Sequence, residues 1–267
     1  MERRGRVSGL RLVNEAAARP PSRPFDRSRR SGQAGPMAGA DSLTLAVRES
    51  AAWCDLVCRL HRFTPEGDGR LWWSARRTPD LFPDAVTLVP DLSVLDVLGR
   101  INDSFGASVN DSFATLDLTD QGWTVLLDAT WVARPPRSGA DDDVASTFAV
   151  VRERFPFAAW CRAWGGPAGV LPIGLRRAPG VTVLGREGDA GFADGAIVHC
   201  TEIGGTAVAG LWNAFGAWAD IANAVSHRYP EAWIVGYERG AGLDAALAAG
   251  FMAIGPLRVW NRKHARP

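Results

Sequence analysis

The sequence predicts an α/β (α+β) protein: a mixed sheet with flanking helices in the second half of the chain, preceded by an N-terminal α/β half-domain. Three observations carry this. Residues 206–260 alternate strand, helix, strand, helix, strand. Two strands joined by Gly-rich turns come just before them, and the first half opens on an amphipathic helix followed by short strands.

Composition sets the boundaries. Residues 1–40 are rich in Arg, Pro, Ser and Gly and poor in large apolar side chains, so they bury too little surface to offset the entropy of ordering and are expected to be a disordered tail. Within the first 36 residues nine arginines face only Glu2, Glu15 and Asp26, which leaves the rest of a chain of net charge +1 mildly acidic. Those arginines lack a run of interleaved aromatics, so nucleic acid is not expected as a partner. Met37, just before the first periodic segment, offers an alternative start. Beyond the tail the chain reads as a half-domain over 41–134, a linker over 135–146 around Asp141, Asp142 and Asp143, a second domain over 147–262 and a tail over 263–267.

A content of 46% hydrophobic and 22% charged residues suits a soluble globular protein with a substantial core. Four cysteines make no dense disulfide framework, no stretch approaches the ~20 apolar residues that cross a bilayer, and no apolar segment follows the basic N-terminus. A cytoplasmic location away from membranes is the expectation.

The elements follow in order. From Asp41 or Ser42 to Arg62, Leu43, Val47, Ala51, Cys54, Val57 and Cys58 fall at helical spacing. Cys54, Cys58 and His61 share nearly one face of that helix, which is zinc-like spacing; small buried cysteines on a core stripe explain it more simply, and no metal is expected. Leu71-Trp72-Trp73 and Ala85–Val89 read as strands, and Asp80, Asp84 and Asp91 between prolines read as turn formers. Ser93–Ile101 has helical spacing. Ser112–Leu118 and Trp123–Ala133, either side of Thr119-Asp120-Gln121-Gly122, read as a hairpin. The second half continues with a strand near Thr147–Val151, a helix at Phe155–Trp164 and strands at Val181–Gly185, Gly195–Thr201 and Thr206–Asn213. A helix at Ala217–Tyr229 stopped by Pro230, the strand Trp233–Tyr237, an Ala-rich helix closed by Gly250 and a last strand to Trp260 complete it.

This order, together with the run Gly236 to Pro256 in which Ala249-Gly250-Phe251 closes a short helix before the last hairpin, resembles the GNAT (Gcn5-related N-acetyltransferase) superfamily over residues 147–262. The resemblance implies an acyltransferase that moves an acyl group from acyl-CoA to an amine or hydroxyl acceptor. It places the loop Trp212, Asn213, Phe215, Gly216, Ala217 and Trp218 at the pyrophosphate of acetyl-CoA, held by backbone N–H groups at a helix N-terminus. Tyr237 and Glu238, at the end of a strand, and Glu202, in a turn, become the candidate catalytic groups, the carboxylates as general bases. The sequence also departs from the pattern. Asn213 replaces a long polar residue, bulky Trp218 stands where a small residue admits phosphate, and the usual tyrosine of the last helix falls at about Ala246. Those departures keep a second reading open, a non-catalytic GNAT-like module that binds a small molecule or a protein. His199 and Cys200 adjoin in one strand and point to opposite faces, so they form no nucleophile-base pair, and His199 reads as a core or sheet-surface residue. Trp212, Trp218, Trp233 and Trp260 either pack between the halves or line a cleft that stacks an aromatic group.

Overall fold

The structure is a computed structural model and describes residues 39–137 and 147–263. The expected N-terminal tail up to 38, most of the linker and the last residues from 264 lie outside the described residues.

Helix α1 (Gly39–Leu60) comes first, then the short strands β1 (Glu66–Gly67), β2 (Leu71–Trp73) and β3 (Ala85–Thr87), helix α2 (Val94–Leu98), β4 (Ser108–Asp111) and the long β5 (Trp123–Arg134). The second half adds β6 (Ala149–Val150), α3 (Arg154–Trp164), β7 (Val181–Gly188), β8 (Gly191–Ile203), β9 (Thr206–Phe215), α4 (Trp218–Arg228), β10 (Trp233–Glu238), α5 (Gly240–Ala248) and β11 (Met252–Arg262). Local chemistry sets several ends. Ser93 and Asp96 form a reciprocal capping box at α2. Gly250 closes α5 in the left-handed region, at φ 87°, where glycine carries no Cβ penalty.

The described strands form one sheet in the order β1-β2-β3-β4-β11-β5-β10-β9-β8-β7-β6, so both halves of the chain contribute to it. Neighbours run antiparallel except β3 with β4 and β9 with β10. One face is covered by α1 and α3, whose Val47, Trp53, Val57, Phe157 and Trp160 pack on Trp131, Val208, Trp212 and Val235. On the other face α4 and α5 bury Trp218, Ile221, Val225 and Ala246 against Ala209, Leu211 and Ile234. A third cluster joins β2 to β4 with Trp123 and Trp260.

Two expectations about pairing are corrected. Residues 112–118 are not a strand, and β5 has no hairpin partner there: it pairs with β11 on one side and β10 on the other. Leu116 and Leu118 still point into the core, but the backbone is fastened by side chains instead of a ladder, with Leu116 N–H donating to Asp111 at 2.8 Å and Trp131 Nε1 donating to the Ser112 carbonyl at 2.9 Å. The last hairpin is likewise absent among the described residues, because β5, from the first half, takes the antiparallel place beside β11.

Candidate functional site

The parallel ladder between β9 and β10 is short. It joins Val208 to Trp233, Ala209 to Ile234 and Gly210 to Val235, and then the strands part. The cause on β9 is visible in its other ladder, where Gly195 faces Phe215 but Ile197 faces Trp212, so Asn213 and Ala214 together oppose one residue of β8. This is a β-bulge, with Asn213 at φ 53°. The parting leaves a gap beyond Gly210 and Val235, bordered by Trp212 and Tyr237, whose rings lie 5.9 Å apart. Tyr237 also stands edge-on to Trp131 at 5.4 Å, and burial pushes its phenol well up, so the hydroxyl keeps its proton at neutral pH.

β9 delivers the chain through Gly216 to the N-terminus of α4. This is where the resemblance puts a pyrophosphate, and a carboxylate of the protein already lies there. The Ala217 N–H donates to Asp194 Oδ1 at 2.6 Å, and a Cβ on Gly216 would stand 2.2 Å from the same oxygen. Asp194, buried on β8, faces Arg186 across the β7–β8 ladder. Arg186 bonds Asp194 at 2.7 Å and Asp220, in the first turn of α4, at 2.8 Å. Trp218 does not fill the loop, contrary to the expectation from its bulk. Its ring is a core anchor, edge-on to Phe251 at 5.5 Å.

A second group stands at the inner end of the gap. Glu49 of α1 is fully buried, and its carboxylate lies directly over Gly210, where a Cβ would come within 2.0 Å of Oε2. Oε1 is hydrogen-bonded to His199 Nδ1 at 2.8 Å and, through a longer bond of 3.4 Å, to Trp212 Nε1, while Oε2 has no hydrogen-bond partner. Burial raises the Glu49 carboxyl above its ordinary range, and His199 pulls it part of the way back. Trp53 stacks on Trp212 at 6.3 Å and covers Trp212 from the helix side. His199 is therefore a core residue with a specific partner 150 positions earlier. The sequence held a clue to Glu49, because it interrupts the apolar stripe Ala46, Trp53, Val57 of α1, and a charged residue at such a position is informative.

The structure brings Tyr237 and Glu238 to the same end of the sheet as Trp212, Asn213, Phe215, Gly216, Ala217 and Trp218, because β9 and β10 are parallel. It does not bring Glu202 there. Glu202 faces Ala207, near the start of β9, six residues of strand from the bulge or roughly 20 Å. Glu238 is half-buried at the end of β10. Cys54 and Cys58 are buried, His61 Nε2 lies 3.0 Å from the Val170 carbonyl oxygen, and no group of three His, Cys, Asp or Glu able to hold a metal occurs among the described residues. Of the three prolyl-loop acids, Asp84 is buried and accepts from the Thr78 and Ser108 N–H groups at 2.9 Å each, which makes it a loop anchor. Among the described residues no helix is long and apolar enough to cross a membrane.

No family model matches the sequence, and no curated protein matches it. Solved structures do resemble the fold. A GCN5-related N-acetyltransferase from Kribbella flavida superposes with a TM-score of 0.54 at 16% identity, over 82% of this chain and 96% of its own. A putative acetyltransferase of the GNAT family from Novosphingobium aromaticivorans superposes with a TM-score of 0.50 at 11% identity, over 82% of this chain and 99% of its own. These likenesses identify the fold, which is GNAT-like.

Proposed function

We propose that the protein is an acyltransferase of GNAT type, taking an acyl group from an acyl-CoA to an amine or hydroxyl of a small molecule or protein. The observation that carries this reading is the parting of β9 and β10 beyond Gly210 and Val235. Parted parallel strands present unsatisfied N–H and C=O groups to each other, and such edges pair readily with an extended ligand. The amide-bearing arm of an acyl-CoA is a ligand of that kind. Bound there it would lie between Trp212 and Tyr237, and the Tyr237 hydroxyl, held protonated by burial, is a donor for the departing sulfur.

The parted strands offer the arm backbone groups to pair with, whereas the N-terminus of α4 does not fit a pyrophosphate while Asp194 occupies it. Asp194 and Asp220 put two carboxylates at that terminus against one cation, Arg186. A diphosphate would have to displace Asp194 from the Ala217 N–H and take over Arg186. This same observation favours the second reading, in which the fold is kept as a non-catalytic ligand-binding or interaction module and the terminus is closed by its own anion.

Titration calorimetry separates the two readings when acetyl-CoA, CoA and the phosphate-free S-acetyl-N-acetylcysteamine are compared. Micromolar binding of acetyl-CoA together with thiol release in the presence of amines supports the transferase. Silence of all three ligands at millimolar concentration would favour the module.

A further inference from the structure

We propose that the acyl donor is recognised by its amide-bearing arm alone, as a pantetheine-type thioester with no diphosphate held at α4, and that Asp194 is the residue that sets this specificity. The inference rests on the acyltransferase reading and narrows its donor. It departs from what the resemblance implies for the loop at Gly216.

The loop is the first support. Gly195 and Phe215 make the last rung of the β8–β9 ladder at this end, and just past it β8 reaches over the loop. Gly216 has no side chain, and β8 takes the space. The point a Cβ would hold is 2.2 Å from Asp194 Oδ1 and 2.7 Å from the Ala193 carbonyl oxygen. A phosphate oxygen brought to the same place would meet these two oxygens, and the Ala217 N–H that would have served it is given to Asp194 at 2.6 Å. Charge is the second support. The tip of the β7–β8 hairpin and the first turn of α4 carry Glu187, Asp189, Asp194 and Asp220, with Arg186 as their cation, and no lysine or arginine occurs from Gly188 to His227. The next arginines, Arg228 and Arg239, belong to the last turn of α4 and the N-cap of α5. Arg186 is engaged: it bonds Asp194 at 2.7 Å and Asp220 at 2.8 Å and lies over the Phe148 ring at 5.0 Å. A diphosphate that reached it would break both pairs and leave Asp194, which is buried, without its cation.

The gap itself asks for no phosphate. Its parted strands beyond Gly210 and Val235 pair with the amides of an arm, whatever the arm is joined to. The transfer is also the same with either donor: the thioester C–S bond breaks, the acyl carbon bonds to the acceptor's nitrogen or oxygen, and the proton which that atom sheds balances the departing thiolate. The diphosphate takes no part in these bonds, so a donor without one loses no reactivity. Two sources present such an arm, a free pantetheine thioester and a phosphopantetheine arm carried on a protein, which keeps one phosphate.

The test is calorimetry of the full chain with S-acetylpantetheine, S-acetyl-4′-phosphopantetheine and acetyl-CoA, beside thiol release from each with a fixed set of amines and alcohols. In the wild type acetyl-CoA should bind within about twofold of S-acetylpantetheine or more weakly, and added salt should close any deficit, because it screens repulsion between anions. The phosphopantetheine ester assigns the source: affinity equal to that of S-acetylpantetheine supports the carried arm, and weaker affinity supports the free thioester. Asp194→Asn should tighten acetyl-CoA about two- to fivefold and leave the affinity for S-acetylpantetheine as it was. Asp220→Asn should act in the same direction and keeps the test open if the first variant misfolds. Acetyl-CoA bound more than about twofold tighter than S-acetylpantetheine by the wild type overturns the donor assignment and leaves the transferase standing. No thiol release from any of the three donors overturns the transferase reading itself, and the donor assignment with it.

Discussion

Gly210 and Glu49 hold one space between them. A methyl group at 210 would stand 2.0 Å from the Glu49 carboxylate, so Gly210→Ala should destabilise the protein by about 1–3 kcal/mol through overpacking. Pairing it with Glu49→Ala should recover part of that loss in denaturant titrations; strictly additive losses would show that the two residues do not compete. The charge has its own signature. Because burial raises the Glu49 carboxyl, the folded state binds this proton more tightly than the unfolded chain does. The stability it confers is full below the ordinary carboxylate range and is lost as pH rises toward the raised value. Glu49→Gln should therefore melt higher than the wild type at pH 8, by ~2–4 °C for each kcal/mol recovered. That advantage should shrink by pH 4, and a gap constant with pH would refute the assignment. Trp218 is a test of another kind. As a core anchor, Trp218→Ala should cost about 3–5 kcal/mol without improving CoA affinity, and a gain in affinity would reinstate it as the obstruction. Single residues were legible in the sequence only where they broke a local pattern. Glu49 breaks an apolar stripe, whereas Asp194 looks like any strand residue until Ala217 and Arg186 are brought to it across two turns.

Among elements, the N-terminus of α4 decides whether the site can take a diphosphate. It has no side-chain cap from its own sequence, and its Ncap N–H is satisfied by a carboxylate of β8. Removing that charge with Asp194→Asn should tighten CoA binding about two- to fivefold, the scale of ~0.5–1 kcal/mol at a helix terminus. The same change breaks the Arg186 ion pair and should lower the melting temperature. Unchanged CoA affinity with a lower melting temperature would make Asp194 a strut only. Elements were more legible than residues because their causes are local: the Ser93 capping box, the Pro230 stop and the left-handed Gly250 act within a few positions. The segment 112–118 was misread for the complementary reason. Alternation of apolar residues reports which side chains are buried but not whether a ladder holds the backbone, and here Asp111 and Trp131 do so instead.

At the scale of the molecule, β5 binds the halves. It lies between β10 and β11 with ten residue pairs to β11 and five to β10. A chain cut to residues 147–267 would expose facing edges of both strands and should not melt cooperatively. Supplying 39–137 as a separate polypeptide should restore the transition, and a cooperative melt of the shorter chain alone would refute the dependence. None of this was legible in advance, since strand order across ~100 residues of intervening chain leaves no periodicity to read. It also imposes a timetable on synthesis. β5 leaves the ribosome long before Met252–Arg262 exists, so a nascent chain must keep a partly apolar strand from mispairing until its last neighbour appears. Sheet closure then belongs to the moments after release, when chaperone supply and growth temperature decide how much of the protein reaches this fold.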